Sequence, residues 1–286
     1  MKHLSAIVIA LVLVALPAAA AELKPGELID WSSDQGAKQE FVSGDLTLDL
    51  QFAKGGDGGQ VVTLTIEKPG SKSVEVTGEG TGSFGGQLGV VPLDSNGLPT
   101  VLFAVFTGGA HCCMQTTAVT ETANGWVSAE VGIFNGAKIN VADKDGDGTV
   151  EIVASDDRFL YVFDSYAGSY APPLFYKSRD GEIYDASAEP QFRPEYEAVL
   201  ADARKRCSGD TWELGSCAGL LAAAARLGTY EAESAPVFAA IKAGRTTSGL
   251  DSFTLCLDEK CEKTRDVPDF AEAVAASLKS WGYLPA

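Results

Sequence analysis

The stretch from Asp143 to Glu151, DKDGDGTVE, constrains this chain more than any other. Asp143, Asp145 and Asp147 alternate, Gly148 permits a sharp turn, and Glu151 closes the series. Carboxylates packed this closely repel one another unless a cation lies among them. A hard cation such as calcium takes about six to eight oxygen ligands, and a tight loop supplies them by turning alternate carboxylates inward. A solvated acidic turn is the plainer alternative, because Asp and Gly favour turns for local reasons alone. The flanking segments, AKINVA and VEIVAS, have the composition of strands rather than helices, so the loop is expected to join two strands.

An EF-hand resembles this loop at its first six positions but needs a bidentate Glu at its twelfth, where Ala154 stands. The acidic closure falls at the ninth position instead. D-x-D-x-D-G-x-x-[DE] between two short strands resembles the calcium loop of FG-GAP (VCBS-type) repeats, the blades of integrin-like β-propellers. The resemblance implies calcium held by the side chains of Asp143, Asp145, Asp147 and Glu151 and by the backbone carbonyl of Thr149. It covers only part of the chain.

The loop has an earlier copy. FGGQLGVVPLDSNGLPTVLFA, from Phe84, aligns with FNGAKINVADKDGDGTVEIVAS, from Phe134, and the matched loop residues lie 51 positions apart. Asp94 falls on Asp145, Asn96 on Asp147, Gly97 on Gly148 and Thr100 on Glu151, while Pro92 takes the place of Asp143. The earlier copy keeps the turn but has lost acidic side chains, so one calcium site per chain is expected. A closed propeller has about four to eight blades, more than the β region can hold. The expected fold is therefore mainly β, with blade-like antiparallel repeats in a partial or compact propeller or a sandwich, followed by a small α-helical C-terminal module.

Composition divides the chain accordingly. Residues 1–21 read as a cleavable signal peptide: Lys2 and His3, an apolar run from Ala6 to Leu16, then Pro17 and small residues, with cleavage expected after Ala21. The apolar run is too short for a membrane span, which places the mature protein in the periplasm or outside the cell. Residues 22–190 are Gly-punctuated, with β-type runs LTLDLQF, VVTLTIE, TVLFAVF, VEIVAS and FLYVF. Residues 191–286 are Ala-rich, and PEYEAVLADARKR, LGSCAGLLAAAARL, APVFAAIKA and VPDFAEAVAASLKSW have helical spacing. Pro194, Pro236 and Pro268 are expected in first helical turns. The formal charge of −17 becomes −18 once the leader removes Lys2. Such an excess repels phosphate backbones and anionic lipids and argues against nucleic-acid or direct membrane binding.

A second cluster, TGGAHCCM, contains His111, Cys112, Cys113 and Met114. These are soft ligands suited to copper, or to zinc without the Met. On a strand they alternate in direction, which prevents all four from meeting one ion. Six cysteines in an exported chain favour disulfides. Cys207 with Cys217 and Cys256 with Cys261 form close pairs, leaving Cys112 and Cys113 for each other. Adjacent Cα atoms lie about 3.8 Å apart, below the roughly 4.4–6.8 Å usual for a disulfide, so that bond would be strained. Cross-links to the helical module and a redox or metal-binding pair are the alternatives. The GGAHCC segment also resembles uncharacterised exported bacterial proteins, which implies no activity.

Catalytic arrangements are not evident. His111 alone can serve a Ser–His–Asp set, no G-x-S-x-G elbow is present, and no Gly-rich segment lies between a strand and a helix. Tyr161, Phe163, Tyr166, Tyr170, Phe175 and Tyr176 suggest either core or a sugar or peptide surface. The expectation is a non-enzymatic, calcium-stabilised exported protein that binds or scaffolds a protein or carbohydrate partner in the cell envelope. The alternative is a soft-metal or thiol-redox protein centred on His111, Cys112 and Cys113.

Overall fold

The computed structural model describes residues 20–56, 59–81, 85–109, 113–135, 138–208, 212–245, 252–256 and 261–285. The expected signal peptide lies almost wholly outside them. The strands of the first half are β1 (Ala21–Glu22), β2 (Leu28–Ser32), β3 (Lys38–Ser43), β4 (Leu46–Lys54) and β5 (Gly59–Glu67). They are followed by β6 (Val74–Thr81), β7 (Gly85–Val91), β8 (Thr100–Phe106), β9 (Met114–Thr122) and β10 (Gly125–Phe134). Then come β11 (Asn140–Ala142), β12 (Glu151–Ser155), β13 (Pro173–Arg179) and β14 (Glu182–Asp185). The C-terminal part comprises α1 (Arg193–Arg206), α2 (Leu214–Leu227), α3 (Tyr230–Lys242), the hairpin β15 (Phe253–Cys256) and β16 (Thr264–Val267), and α4 (Phe270–Ser280).

The strands form three larger sheets, ordered β1-β3-β4-β5-β6, β10-β9-β8-β7-β2 and β11-β12-β13-β14. Only the pairing of β1 with β3 is parallel among these. The expectation of a mainly β chain with a small helical C-terminal part holds. Its β region is a stack of open sheets, with no closed barrel among the described strands.

Hydrophobic patterning sets the order of the layers. In β4, Leu46, Leu48 and Leu50 are buried while Thr47, Asp49 and Gln51 alternate with them on the outer face. In β8 the run from Val101 to Phe106 is apolar throughout, because both faces are covered. Val101, Phe103 and Val105 pack with Leu48, Leu50 and Leu64 of the first sheet. Leu102 and Ala104 pack on the other side with Ile152 of the third. The far face of the third sheet meets the helices: Phe175 stacks on Phe192 at 4.4 Å and meets Tyr196 of α1 edge-on. The order is therefore sheet, sheet, sheet, helices.

Within the C-terminal part α2 is central. Every residue except Ala225 and Arg226 is buried, as expected of a helix that is apolar all round. Gly215 and Gly219 let the Ser165–Tyr170 turn approach it. A Cβ on Gly215 would stand 2.1 Å from the Gly168 carbonyl, and one on Gly219 2.5 Å from Tyr170 Cδ1. The disulfide Cys207–Cys217 ties the end of α1 to α2, and Cys256–Cys261 lies at the end of β15.

Several local expectations need correction. FLYVF is not a strand. Asp156 caps a 3-10 turn at Asp157–Phe159, and Tyr161 then takes a left-handed φ of 65° with its N–H donated to Ser169 Oγ. That reversal leaves Tyr161 outside while Phe159 and Phe163 both enter the helical core. Pro236 lies inside α3 rather than in its first turn, because the helix already starts at Tyr230. Pro268 precedes the cap of α4, Asp269. The β15–β16 hairpin was not anticipated in the helical part; its alternation is short, Phe253 and Leu255 in, Thr254 and Cys256 out. No helix among the described residues is long and apolar enough to cross a membrane.

Two-sided burial of β8 predicts that neighbouring residues are both costly to truncate. Leu102→Ala and Phe103→Ala should each destabilise by about 2–5 kcal/mol in urea denaturation. A near-neutral result for either would mean that one face of the second sheet is uncovered.

Candidate metal centre

The two aligned segments form hairpins in the same register. Val90 pairs with Val101 and Val91 with Thr100; Val141 pairs with Ile152 and Ala142 with Glu151. Each residue of the second set lies 51 positions after its counterpart. The loops fold alike as well. Asn96 N–H donates to Asp94 Oδ1 at 3.0 Å, and Asp147 N–H to Asp145 Oδ1 at 3.1 Å. Leu98 N–H donates to Asn96 Oδ1 at 2.7 Å, and Thr149 N–H to Asp147 Oδ1 at 2.8 Å. Gly97 and Gly148 both take positive φ, 74° and 91°. The loops touch, since Val150 N–H donates to the Pro92 carbonyl at 2.9 Å.

Both loops also reach β13, through successive residues. Lys177 Nζ donates to Asp145 Oδ2 at 2.6 Å and to Asp147 Oδ2 at 2.7 Å, and lies 3.6 Å from Glu151 Oε1. Ser178 Oγ donates to Asp94 Oδ2 at 2.7 Å, and Gly181 N–H to the same oxygen at 2.9 Å. In the acidic copy, Asp143 accepts from Gly146 N–H and Gly148 N–H at 2.7 and 3.1 Å. Glu151 is fully buried. Its Oε2 accepts from Lys144 N–H at 2.7 Å, while Oε1 accepts no hydrogen bond. Ligand oxygens of Asp143, Asp145 and Glu151 lie within 4.8 Å of one another. Asp147 stands beside this trio through Lys177, with its Oδ1 held by the backbone and hydroxyl of Thr149.

The electrostatics follow from these contacts. The Lys177 hydrogen bond, with that of the Thr149 hydroxyl, holds Asp147 down to about 2. Burial pushes Glu151 up, and the charges of Asp145 and Asp147 add to it against the opposing Lys144 N–H and Lys177. Burial would lower the Lys177 ammonium, but hydrogen bonds to Asp145 and Asp147 and their charges raise it overall. The donors are all oxygen, with one buried carboxylate oxygen lacking a hydrogen bond, and this set fits a hard cation such as calcium rather than a soft one.

In the earlier copy protein hydrogen bonds meet the corresponding acid. Asp94 is buried. Burial alone would raise its pKa, but hydrogen bonds from Gly181, Ser178 and Asn96 outweigh it and hold the carboxyl below its usual range. Thr100, in the place of Glu151, shares a 3.0 Å hydrogen bond with Thr120.

Lys177 and Ser178 are the partners that sequence reasoning missed. A signal existed, since Lys177 is the sole charge in APPLFYKS, Ala171 to Ser178. Of the soft cluster, His111 and Cys112 lie outside the described residues. Cys113 is disulfide-bonded, and a disulfide sulfur offers no thiolate. Met114 is buried between the second and third sheets, opposite Phe106 and Phe134 in strand register. Among the six aromatics, Phe163 and Phe175 are core, Tyr170 and Tyr176 are half-buried, and Tyr161 and Tyr166 are exposed with rings 5.4 Å apart.

Fold and loop together define a layered, disulfide-bonded β protein with a helical C-terminal part and, among the described residues, one acidic hairpin loop whose carboxylates could hold a metal ion. Over 100 residues, 34% of its length, the chain is 45% identical to a probable thylakoid lumen protein of Synechocystis sp., covering 30% of that protein. Over 267 residues, 89% of its length, it is 28% identical to an uncharacterized protein of Sinorhizobium fredii, covering 42% of that one. The chain thus spans less than half the length of these curated relatives. No protein-family model matches it, and no solved structure does. The disulfides and the lumenal relative are compatible with an exported protein.

Because the Asp94 pKa is depressed in the folded state, its contribution to stability is full above the unfolded value of about 3.9 and is lost as pH falls through the folded value. Asp94→Asn should cost about 1–3 kcal/mol at pH 7, and chemical denaturation should show the gap to wild type narrowing in acid. A gap independent of pH would mean that the Asp94 carboxylate contributes nothing as an anion.

Proposed function

We propose that this is an exported, non-enzymatic protein whose acidic hairpin loop holds calcium as a structural ion. The supporting observation is the buried Glu151 Oε1, without a hydrogen bond, beside the oxygens of Asp143 and Asp145. On this reading Asp143, Asp145, Glu151 and Asp147 supply carboxylate ligands and Thr149 a backbone carbonyl, as the FG-GAP resemblance implies. The ion supplies charge neutralisation and cross-links the ends of β11 and β12. Its setting favours structure over chemistry: the loop's other contacts are to its own backbone, to Pro92, to β13 and, through Lys144, to Glu195 of α1.

The proposed setting is the periplasm or the exterior, after cleavage of the leader behind Ala21, where calcium is plentiful and disulfides persist. The role is binding or scaffolding of a protein or carbohydrate in the cell envelope. The exposed pair Tyr161 and Tyr166 supports a binding surface of that kind, since aromatic faces are common in such contacts.

Thermal melts with chelator and with millimolar calcium test the ion directly. Calcium at a hundredfold excess over its Kd should add about 2.7 kcal/mol of stability, and Asp145→Ala should abolish the calcium-dependent rise in Tm. No shift at millimolar calcium would sink the proposal.

A further inference from the structure

We infer that Lys177 is a built-in counter-cation that competes with calcium for the loop, so that the ion binds by displacing the ammonium. The inference rests on the calcium reading and concerns how that site is controlled. Lys177 stands on β13, outside the loop, yet its Nζ contacts three of the four carboxylates expected to hold the ion. Its side chain is only 11% exposed, so it is committed to the loop rather than to solvent. The loop's own lysine, Lys144, is turned the other way and pairs with Glu195 of α1 at 3.1 Å.

One ammonium satisfies this site incompletely. It hydrogen-bonds Asp145 and Asp147, but Glu151 Oε1 remains at 3.6 Å with no hydrogen bond. A divalent cation offers more ligand positions and twice the charge, and so can engage the oxygen that the ammonium leaves. It cannot share the same oxygens with Lys177, because like charges a few ångströms apart repel strongly in a partly buried setting. Binding is therefore an exchange of one ammonium for one divalent ion, with no covalent change.

Two consequences follow. The loop keeps its fold without calcium, because Lys177 offsets part of the acidic charge. Calcium affinity is lower than the ligand set alone would give, so the site fills only where the ion is abundant.

Titration calorimetry with calcium on the full chain, comparing wild type with Lys177→Met and Lys177→Arg, separates the possibilities. The expected result is a Kd for the Met variant at least roughly tenfold lower than wild type, with the Arg variant remaining weak. Melts should also show Lys177→Met lowering the calcium-free Tm while enlarging the calcium-induced rise; a lysine with only a structural role would lower both melts alike. If Lys177→Met does not fold without calcium, Lys177→Gln serves for the same comparison. Equal calcium affinity in wild type and the neutral variants overturns the exchange and leaves the calcium reading standing. Binding by the neutral variants alone supports Lys177 as the resident cation and overturns the calcium reading for the native chain. Binding by none overturns both.

Discussion

Acidic crowding at the β11–β12 turn is the constraint on which this part of the molecule depends. Asp143, Asp145, Asp147 and Glu151 lie within one short loop, and Glu151 is buried outright. A buried carboxylate needs a hydrogen-bonded or charged partner. Glu151 receives the Lys144 N–H from within the hairpin, and Asp145 and Asp147 receive Lys177 from outside it, on the strand next to β12. Charge and topology are thereby linked, since Lys177 reaches Asp145 and Asp147 from β13, the strand paired with β12.

The same strand serves the earlier hairpin. Lys177 and Ser178 are adjacent, so the charged side chain meets the acidic loop and the hydroxyl meets Asp94. Two loops of common geometry are thus met by different chemistry, an ammonium for one and neutral donors for the other. Asp94 reaches a depressed pKa through hydrogen bonds alone, whereas the acidic copy retains a buried oxygen without a hydrogen bond. That difference separates a buried acid fully met by hydrogen bonds from one with a carboxylate oxygen left over. It also joins the layers, because Asp94 belongs to the second sheet's hairpin and Ser178 to the third sheet.

Much of this was readable from residue order. The displacement of 51 residues seen in the sequence reappears in strand pairing, with Val91–Thr100 matching Ala142–Glu151. The four helical segments and two disulfides followed from local spacing. What escaped depended on distant contacts. FLYVF has strand composition, but Asp156 and Ser169 turn it so that Phe159 and Phe163 reach the helical core. Met114 looked like a ligand beside His111 and is packed against apolar residues of two sheets. Lys177 lies 26 residues beyond Glu151 in sequence, and no local pattern tells which acids a lone strand lysine will meet.

The most direct measurement is a crystal structure of the full chain grown with calcium. The expected result is one ion about 2.3–2.6 Å from carboxylate oxygens of Asp143, Asp145 and Glu151, with Lys177 Nζ withdrawn from Asp145 and Asp147. Lys177 still seated between those carboxylates in saturating calcium, with no ion in the loop, would contradict it.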